Sequence, residues 1–350
     1  MNATPPLIEL SPRGPYVTDL PDAPGRSVVT PSEPAFPIYR LLSELRSPLE
    51  LRELMIQPVR TGYIGKPGDP PPAHLPPGAA ELFPDVAVGE IAVHGEDGLV
   101  HCRTYSVPAT DDTLRPIVLY IHGGGFTVGT SADTASITSR MAHDTGAVVV
   151  SVDYRMAPEW PFPHAVEDCF AVYRALREEA MRLGGDPEKI LVAGDSAGGN
   201  LSAVLPLVAR DRDVPVPAGA ILLCPITNFC AEEHPGFERL AARGIVYDTA
   251  FFGFIRGAYL LRKSNWTHPY ASPALGDLGG FPRTLVVCGS DDPVVEDNRA
   301  FAERLKAHGV HAELFERPHM PHGYYFFPGL VPEGDEALAA VSDFIRACTA

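Results

Sequence analysis

The sequence predicts an α/β protein built on a mostly parallel, doubly wound sheet. Five short apolar runs are typical of strands that are covered on both faces. In chain order they are PIVLYIHG, AVVVSVDY, KILVAGD, GAILLCPI and RTLVVCGS. Patterns with helical spacing lie between several of these runs. This alternation favours a parallel sheet with helices on its two faces.

The N-terminal part of the chain is expected to lie outside the sheet. Residues 1–35 carry eight prolines and no hydrophobic periodicity, which is typical of an extended or disordered arm. Within residues 36–86, apolar residues first recur at helical spacing, and the tetrapeptide SPLE at residues 47–50 has the residue types of a helix capping box. We expect this segment to form the N-terminal part of a cap and its connection to the sheet.

The rest of the chain divides into a main domain and an insertion. The runs VGEIAVHG and LVHCRTYSV are predicted to pair as edge strands, and HAELFER to form the last strand. Helical patterns cover Ala165–Leu183, Asn200–Ala209, Val294–Ala307 and Ala337–Ala347. Residues 226–270 have no strand pattern but contain the aromatic-rich helical stretch DTAFFGFIRGAYLL. We therefore expect the main domain at 87–225 and 271–350, with a cap insertion at 226–270 over the edge of the sheet where α/β proteins bind ligands.

The composition of the 350 residues argues against several classes of function. A formal charge of −16 disfavours a nucleic-acid partner. No apolar run reaches the roughly 20 residues of a membrane span, and the N-terminus lacks the basic start and apolar segment of a secretory signal, so we expect a cytoplasmic protein. Six scattered cysteines favour free thiols over disulfides or a zinc site. Without a phosphate-binding loop or metal-ligand spacing, the chemistry is expected to need no metal and no other cofactor.

The stretch ILVAGDSAGGNL places one serine where a buried strand meets a helix. Gly194 and Gly198 flank Ser196 in a G-x-S-x-G pattern, which is typical of a sharp turn that holds a serine nucleophile in a strained conformation with its Oγ outward. Since glycine is common, roughly one chain in ten of this length would match the pattern by accident. The motif alone is therefore only suggestive.

A second glycine motif strengthens the interpretation. HGGGF, at residues 122–126, directly follows a predicted strand and precedes the serine turn by one crossover. Consecutive glycines allow backbone N–H groups to face a ligand, and H-G-G-G at this place is typical of an oxyanion hole. We expect the donors to be the amides of Gly123, Gly124 and Ala197, each worth about 2.7–4 kcal/mol of the barrier.

A serine nucleophile also needs a base, which in this arrangement lies last in the chain. Two late histidines, His319 and His322 in RPHMPHGYYFF, follow the last predicted strand, where a loop can hold an imidazole over the serine. The other four that follow the serine are expected to be surface or structural residues: His234, His268, His308 and His311.

The acid is expected at the end of the strand RTLVVCGS, where Asp291 and Asp292 are neighbours. Adjacent side chains on an extended segment point to opposite sides, so one of the two should reach the base. Asp292 precedes Pro293, and a residue before proline is biased toward extended backbone. This favours Asp292, with Asp291 as a solvated or turn-forming residue.

Taken together, the motifs HGGGF, DYRMAPEWPFPHAVED, GDSAGGNL, DDP and HGY resemble those of the hormone-sensitive-lipase-like carboxylesterases of the α/β-hydrolase fold, over roughly residues 115–325. The resemblance implies Ser196 as nucleophile, His322 as base and Asp292 as acid, under a helical cap built from the N-terminus and the insertion after the sixth predicted strand. It also implies cofactor-free hydrolysis of small-molecule esters with short or medium acyl chains. D-P-V-V-E-D-N and H-G-Y depart modestly from the family's D-P-L-x-D-E-G and H-G-F.

Three hypotheses for function follow, and substrate shape stays open in all of them. The leading one is a serine carboxylesterase that works through an acyl-enzyme; a deacetylase, amidase or acyltransferase acting on a natural product would keep the same triad. A non-catalytic receptor is disfavoured by the presence of His322. Four bulky residues are expected either to line the acyl pocket or to hold the cap together: Trp160, Phe251, Phe252 and Phe254. A homodimer is left open.

Overall fold

A computed structural model describes residues 8–10, 82–230, 249–326, 328–329 and 331–350. Its strands form one nine-stranded sheet with the order β1-β2-β3-β5-β4-β6-β7-β8-β9. The strands are β1 (Ile8–Leu10), β2 (Ala87–Gly95), β3 (Gly98–Ser106), β4 (Arg115–Ile121), β5 (Val148–Asp153), β6 (Gly185–Asp195), β7 (Gly219–Leu223), β8 (Thr284–Gly289) and β9 (Ala312–Arg317). The predicted mostly parallel α/β sheet is confirmed.

The direction of the strands changes at one side of the sheet. β3 pairs antiparallel with both β2 and β5, whereas the pairs from β5 through β4, β6, β7 and β8 to β9 are all parallel. β2 and β3 pair with each other as predicted, but β2 is not the outermost strand of the described sheet. One strand was not expected: Ile8–Leu10, within the proline-rich arm, pairs parallel with β2, so that Ile8 faces Ile91. With this strand counted, the run GAILLCPI that precedes the insertion is the seventh strand, β7, instead of the sixth predicted one.

The described helices are α1 (Ala135–Thr145), α2 (His164–Glu179), α3 (Ala197–Asp211), α4 (Thr249–Leu260), α5 (Val295–Ala307) and α6 (Pro332–Thr349). The sequence pattern predicted one continuous helix up to Leu183, and in the structure α2 continues as a 3-10 helix at Ala180–Leu183. α3 begins at Ala197 rather than Asn200, so it starts directly after the serine of the turn. Each of these helices ends within a few residues of its predicted end, apart from α1, which the sequence analysis did not predict.

Two groups of helices cover the central strands, whose side chains are almost entirely buried. α1 packs on α6, where the Ser342 hydroxyl donates to Asp144 at 3.0 Å. α2 packs on α3, and Glu167 of α2 holds Arg212 in a two-bond ion pair of 2.7 and 2.8 Å. This leaves the carboxyl ends of the parallel strands as the edge at which loops can converge.

α4, in the predicted insertion, lies against the loop that follows β4. The ring of Tyr259 stacks on Phe126 with centroids 3.8 Å apart, and the Phe162 N–H donates to the Tyr259 carbonyl at 2.8 Å. The rest of the predicted cap, residues 36–81 and 231–248, lies outside the described residues. None of the helices that the structure describes is long and apolar enough to cross a membrane.

Candidate active site

Ser196 lies on a sharp turn between β6 and α3 and has a backbone conformation that serine rarely adopts. Its φ is +53° and its ψ is −114°. The Ser196 N–H donates to Leu223 O at 2.8 Å, and the Asn200 N–H donates to Ser196 O at 2.9 Å. Because β7 on one side and α3 on the other fix the peptide groups, the strained conformation is over-determined by its surroundings. The half-buried serine is thus held in place by its backbone.

The two glycines of the motif are required by close backbone approach. A Cβ on Gly194 would come within 2.6 Å of Ile121 O, at the end of β4. A Cβ on Gly198 would come within 2.6 Å of His122 O and closer still to Ile121 O. Both glycines therefore let the turn lie directly on the start of the HGGGF loop, which brings the two sequence motifs together.

The structure also brings Asp292 and His322 together. The Asp292 side chain, in the loop after β8, is fully buried, and its Oδ2 lies 2.8 Å from His322 Nδ1. Its Oδ1 accepts the Val294 N–H at 2.9 Å, which fixes the carboxylate. Burial alone would lower the pKa of His322, but the charge of the Asp292 carboxylate, together with that of Cys224 in its thiolate form, outweighs it and raises this pKa well above its usual value. The carboxylate thus orients the imidazole and favours its charged form.

The neighbouring candidates for acid and base are placed elsewhere. The His319 side chain is exposed, and its backbone N–H donates to Ser290 Oγ at 2.8 Å. Asp291 is half-buried, with its N–H donating to Met320 O at 3.1 Å. His308 and His311 bond locally to Arg304 O and Glu313, and His268 packs near Phe162. His234 lies outside the described residues.

Cys224 is a neighbour of the imidazole that the sequence analysis missed. Its Sγ lies 3.6 Å from His322 Nε2 and 2.7 Å from the Tyr325 hydroxyl. Cys224 follows Leu223, whose carbonyl accepts the Ser196 N–H, so the imidazole lies beside the serine turn. The signal was present in the run GAILLCPI, which ends at the same edge of the sheet as the serine strand. All six cysteines are free thiols.

Glycines give the HGGGF loop its path over the serine turn. Gly124 and Gly125 have φ values of +106° and +61°, in the region that favours glycine. The Gly123 N–H donates to Asp195 Oδ2 at 3.1 Å, and the Tyr120 hydroxyl donates to Asp195 Oδ1 at 2.8 Å. The bond to Asp195 takes up the Gly123 hydrogen that was expected to serve an oxyanion.

Asp195 is a buried carboxylate next to the serine, and the sequence analysis gave it no role. Burial raises the pKa of Asp195 to about 6, while the hydrogen bonds from Tyr120 and Gly123 act in the opposite direction. It ties the end of β4 to the end of β6. It therefore positions the glycine loop relative to Ser196.

Of the four bulky residues that were expected at the acyl pocket or in the cap, Phe252 has a clear packing role. Phe252 is buried and stacks on Phe229 at a centroid distance of 5.7 Å. Trp160 and Phe254 are half-buried, and the Phe251 side chain lies outside the described residues. Phe252 thus helps to hold the cap, in line with one of the two expected roles.

Comparison with known proteins places the chain in one family. The sequence profile of a family described as the alpha/beta hydrolase fold matches residues 118–326. The carboxylesterase NlhH of Mycobacterium tuberculosis is 40% identical over 279 residues, which cover 76% of this chain and 86% of that protein. An acetyl-hydrolase of Streptomyces hygroscopicus is 34% identical over 274 residues, or 77% of this chain and 87% of that one.

A solved structure extends the likeness to the fold. A hyperthermophilic esterase from the archaeon Pyrobaculum calidifontis has a TM-score of 0.75 at 30% identity, covering 89% of this chain and 98% of that chain. The profile match spans the serine turn, the glycine loop and the loops of Asp292 and His322.

Proposed function

Because the chain belongs to the hormone-sensitive-lipase-like carboxylesterases of the α/β-hydrolase fold and is a carboxylic ester hydrolase, we propose that it cleaves short- to medium-chain acyl esters through an acyl-enzyme on Ser196. The observation that carries the proposal is the buried Asp292–His322 pair, 2.8 Å apart, beside the strained serine turn. A small-molecule ester is the proposed partner. A homodimer and a cytoplasmic location stay predictions.

In this mechanism Ser196 Oγ attacks the ester carbonyl while His322 Nε2 accepts the hydroxyl proton. Asp292 accepts the Nδ1–H bond, which holds the productive tautomer and stabilises the imidazolium. The tetrahedral intermediate then collapses, His322 gives the proton to the leaving alkoxide, and the acyl group stays on Ser196. A water molecule repeats the sequence on the acyl-enzyme and releases the acid.

The oxyanion donors are proposed to be Gly124 and Ala197, with Gly125 in place of Gly123. The reason is that Gly123 already donates its hydrogen to Asp195. Gly125 is the next amide in the same glycine run, and Ala197 starts α3 directly after the nucleophile. Such donors act on charge that appears only at the tetrahedral stage.

A preference for short acyl chains is proposed because the insertion helix lies close to the glycine loop. A Cβ on Gly125 would come within 2.7 Å of Ile255 Cδ1, so α4 sits directly over that loop. The similarity to an acetyl-hydrolase points in the same direction and keeps deacetylation of a natural product as a second candidate. Measuring hydrolysis and acyl transfer on the same substrates would separate these activities.

The test of the proposal combines labelling with kinetics. A serine-directed phosphonate is expected to label the native protein once, and Ser196→Ala not at all. The same variant should lose about a million-fold in turnover of a nitrophenyl ester while keeping its fold, as for other triad nucleophiles. Retained turnover would contradict the mechanism, and faster cleavage of long-chain triglyceride emulsions than of short esters would contradict the acyl preference.

A further inference from the structure

Three groups that can bind a metal ion meet at the proposed site. Within the described residues, ligand atoms of Cys224, Asp292 and His322 all lie within 4.8 Å of one another. The proposed hydrolysis uses the carboxylate and the imidazole but assigns no task to the thiol. Cys224 is buried, and its backbone is fixed because its N–H donates to Val287 O at 2.7 Å.

The spacing of the thiol and the imidazole suits zinc. Zn–N bonds of about 2.0 Å and Zn–S bonds of about 2.3 Å, at the tetrahedral angle, place nitrogen and sulfur about 3.5 Å apart. Cys224 Sγ and His322 Nε2 are 3.6 Å apart. The separation of these two atoms is therefore that of two ligands of one zinc ion.

The other side of the imidazole is already arranged as in zinc sites. Histidines that bind a metal usually donate the second ring N–H to a carboxylate, which fixes the tautomer and makes the ligand more basic. Asp292 Oδ2 holds this position at Nδ1, 2.8 Å away, so a metal bound by this imidazole would take the other ring nitrogen, Nε2. In such a complex Asp292 would support the ligand, and water would complete the coordination.

We propose that Cys224 Sγ and His322 Nε2 form a binding site for Zn²⁺ that reversibly inhibits the enzyme. On binding, Zn²⁺ releases bound water, the protons of the thiol and of a protonated Nε2 pass to the solvent, and Zn–S and Zn–N bonds form. The Nε2 lone pair can then no longer accept the Ser196 proton. The inhibition rests on the proposed function, since it needs His322 as the base, whereas the binding does not.

Binding is tested with Co²⁺, which takes the place of zinc and absorbs light. Titration of the native protein should give the cobalt–thiolate charge-transfer band in the near ultraviolet and the visible bands of a tetrahedral ion. Cys224→Ser should lose the thiolate band, because a hydroxyl is a poor ligand for these ions. Cys230→Ser is the matched control: it removes a partly exposed thiol of the same chain outside the cluster, and it should keep the band.

Inhibition is tested separately with Zn²⁺ and a short nitrophenyl ester, each variant being compared with its own metal-free rate. We expect Cys224→Ser to need at least tenfold more Zn²⁺ for half-inhibition than the native protein or Cys230→Ser, and a chelator to restore activity. Circular dichroism shows whether each variant is folded. If Cys224→Ser does not fold, Cys224→Ala serves as a second variant without the thiol.

The outcomes separate the two proposals. No thiolate band in the native protein, or a band that survives in folded Cys224→Ser or Cys224→Ala, overturns the site. A band that depends on Cys224 without zinc inhibition of an active enzyme overturns the inhibitory role. If esterase activity itself proves independent of Ser196, the proposed function fails while the cobalt titration still decides the metal site.

Discussion

The two halves of the candidate site are built on different principles. The half formed by the ends of β4 and β6, here called the glycine half, depends on the space around the backbone, because Gly194 and Gly198 allow the serine turn to lie on neighbouring carbonyl groups. The half formed by the loops after β8 and β9 is set by side-chain hydrogen bonds, chiefly the one between Asp292 and His322. An added methyl group should therefore damage the first half through the fold. A changed charge should damage the second half through the chemistry.

Each half also buries a carboxylate, and the partners differ. Asp195 accepts hydrogen bonds from two neutral donors, the Tyr120 hydroxyl and the Gly123 amide. Asp292 faces an imidazole whose pKa it raises. The first carboxylate can thus fix a loop, whereas the second can stabilise a positive charge that forms during a reaction.

The largest effect is expected in the acid–base half. Asp292→Asn should lower the turnover of a short nitrophenyl ester by about 10⁴-fold, because an amide at this position no longer holds the productive tautomer of His322. The free energy of unfolding should change much less than the rate. Steady-state kinetics, with urea unfolding of the same preparation, measure both.

Asp291→Asn is the matched control for this substitution, since it makes the same chemical change one residue away on a half-buried side chain. It should keep turnover within about tenfold of the native enzyme. An impaired Asp291→Asn beside an active Asp292→Asn would reverse the assignment of the acid.

The second effect concerns the glycine half. In Gly198→Ala the new methyl group would meet the carbonyl oxygens of Ile121 and His122, so we expect a loss of about 3 kcal/mol in the free energy of unfolding. In Gly253→Ala, in α4, no atom of the described residues lies within 4 Å of the new Cβ, and the free energy of unfolding should instead rise by about 0.5–1 kcal/mol. Urea unfolding measures both. Equal stability of the two variants would show that the space around the backbone does not determine the structure of the glycine half.

What the sequence could predict follows the same division. The serine turn and the glycine loop have fixed local spacing, and Pro293 favoured Asp292 as the acid, so these residues could be proposed for the site from the sequence alone. The Gly123–Asp195 bond was missed because it joins residues 72 positions apart, at the ends of two strands whose order in the sheet the sequence does not give.

Two helices show why element bounds were less predictable. α1 buries Thr138 and Ser139 together with its apolar residues, so its core face carries a weak hydrophobic pattern. α6 begins at Pro332 with an acidic first turn, and its apolar positions start only near Ala337, where the helix was predicted to begin. In both cases burial of polar residues or a polar first turn hid the signal.

A third, smaller effect tests the buried carboxylate of the glycine half. Tyr120→Phe removes a hydrogen-bond donor to Asp195. It should lower the free energy of unfolding by about 2 kcal/mol at pH 8, where this carboxylate is ionised. Because the folded-state pKa of Asp195 is raised to about 6, above its unfolded value, the folded protein holds the proton at pH 5. The Tyr120 hydroxyl then stabilises the fold less, so the loss of unfolding free energy in Tyr120→Phe should become smaller as the pH falls through about 6.

Tyr173→Phe is the control for this pH dependence, since its hydroxyl donates to the neutral carbonyl of Pro215 at 2.7 Å. This substitution should lower the free energy of unfolding by about 1 kcal/mol, equally at pH 8 and at pH 5. Urea unfolding at the two pH values measures both variants. A pH-independent cost for Tyr120→Phe would mean that Asp195 does not carry its charge as described.

The smallest effect is expected at the histidine that shares the loop of the base. The His319 side chain is exposed and contributes only its backbone N–H, which donates to Ser290 Oγ, so its imidazole has no geometric part in the proposed proton transfer. Its φ of +60° lies where asparagine is tolerated, and His319→Asn therefore removes the imidazole without straining the loop. We expect turnover to change by less than about threefold, whereas His322→Asn should remove nearly all activity because no other group takes the serine proton. Steady-state rates of the two variants on one short ester compare them directly. An equally large loss of turnover in His319→Asn and His322→Asn would contradict this expectation. It would show that the half built on side-chain hydrogen bonds includes His319.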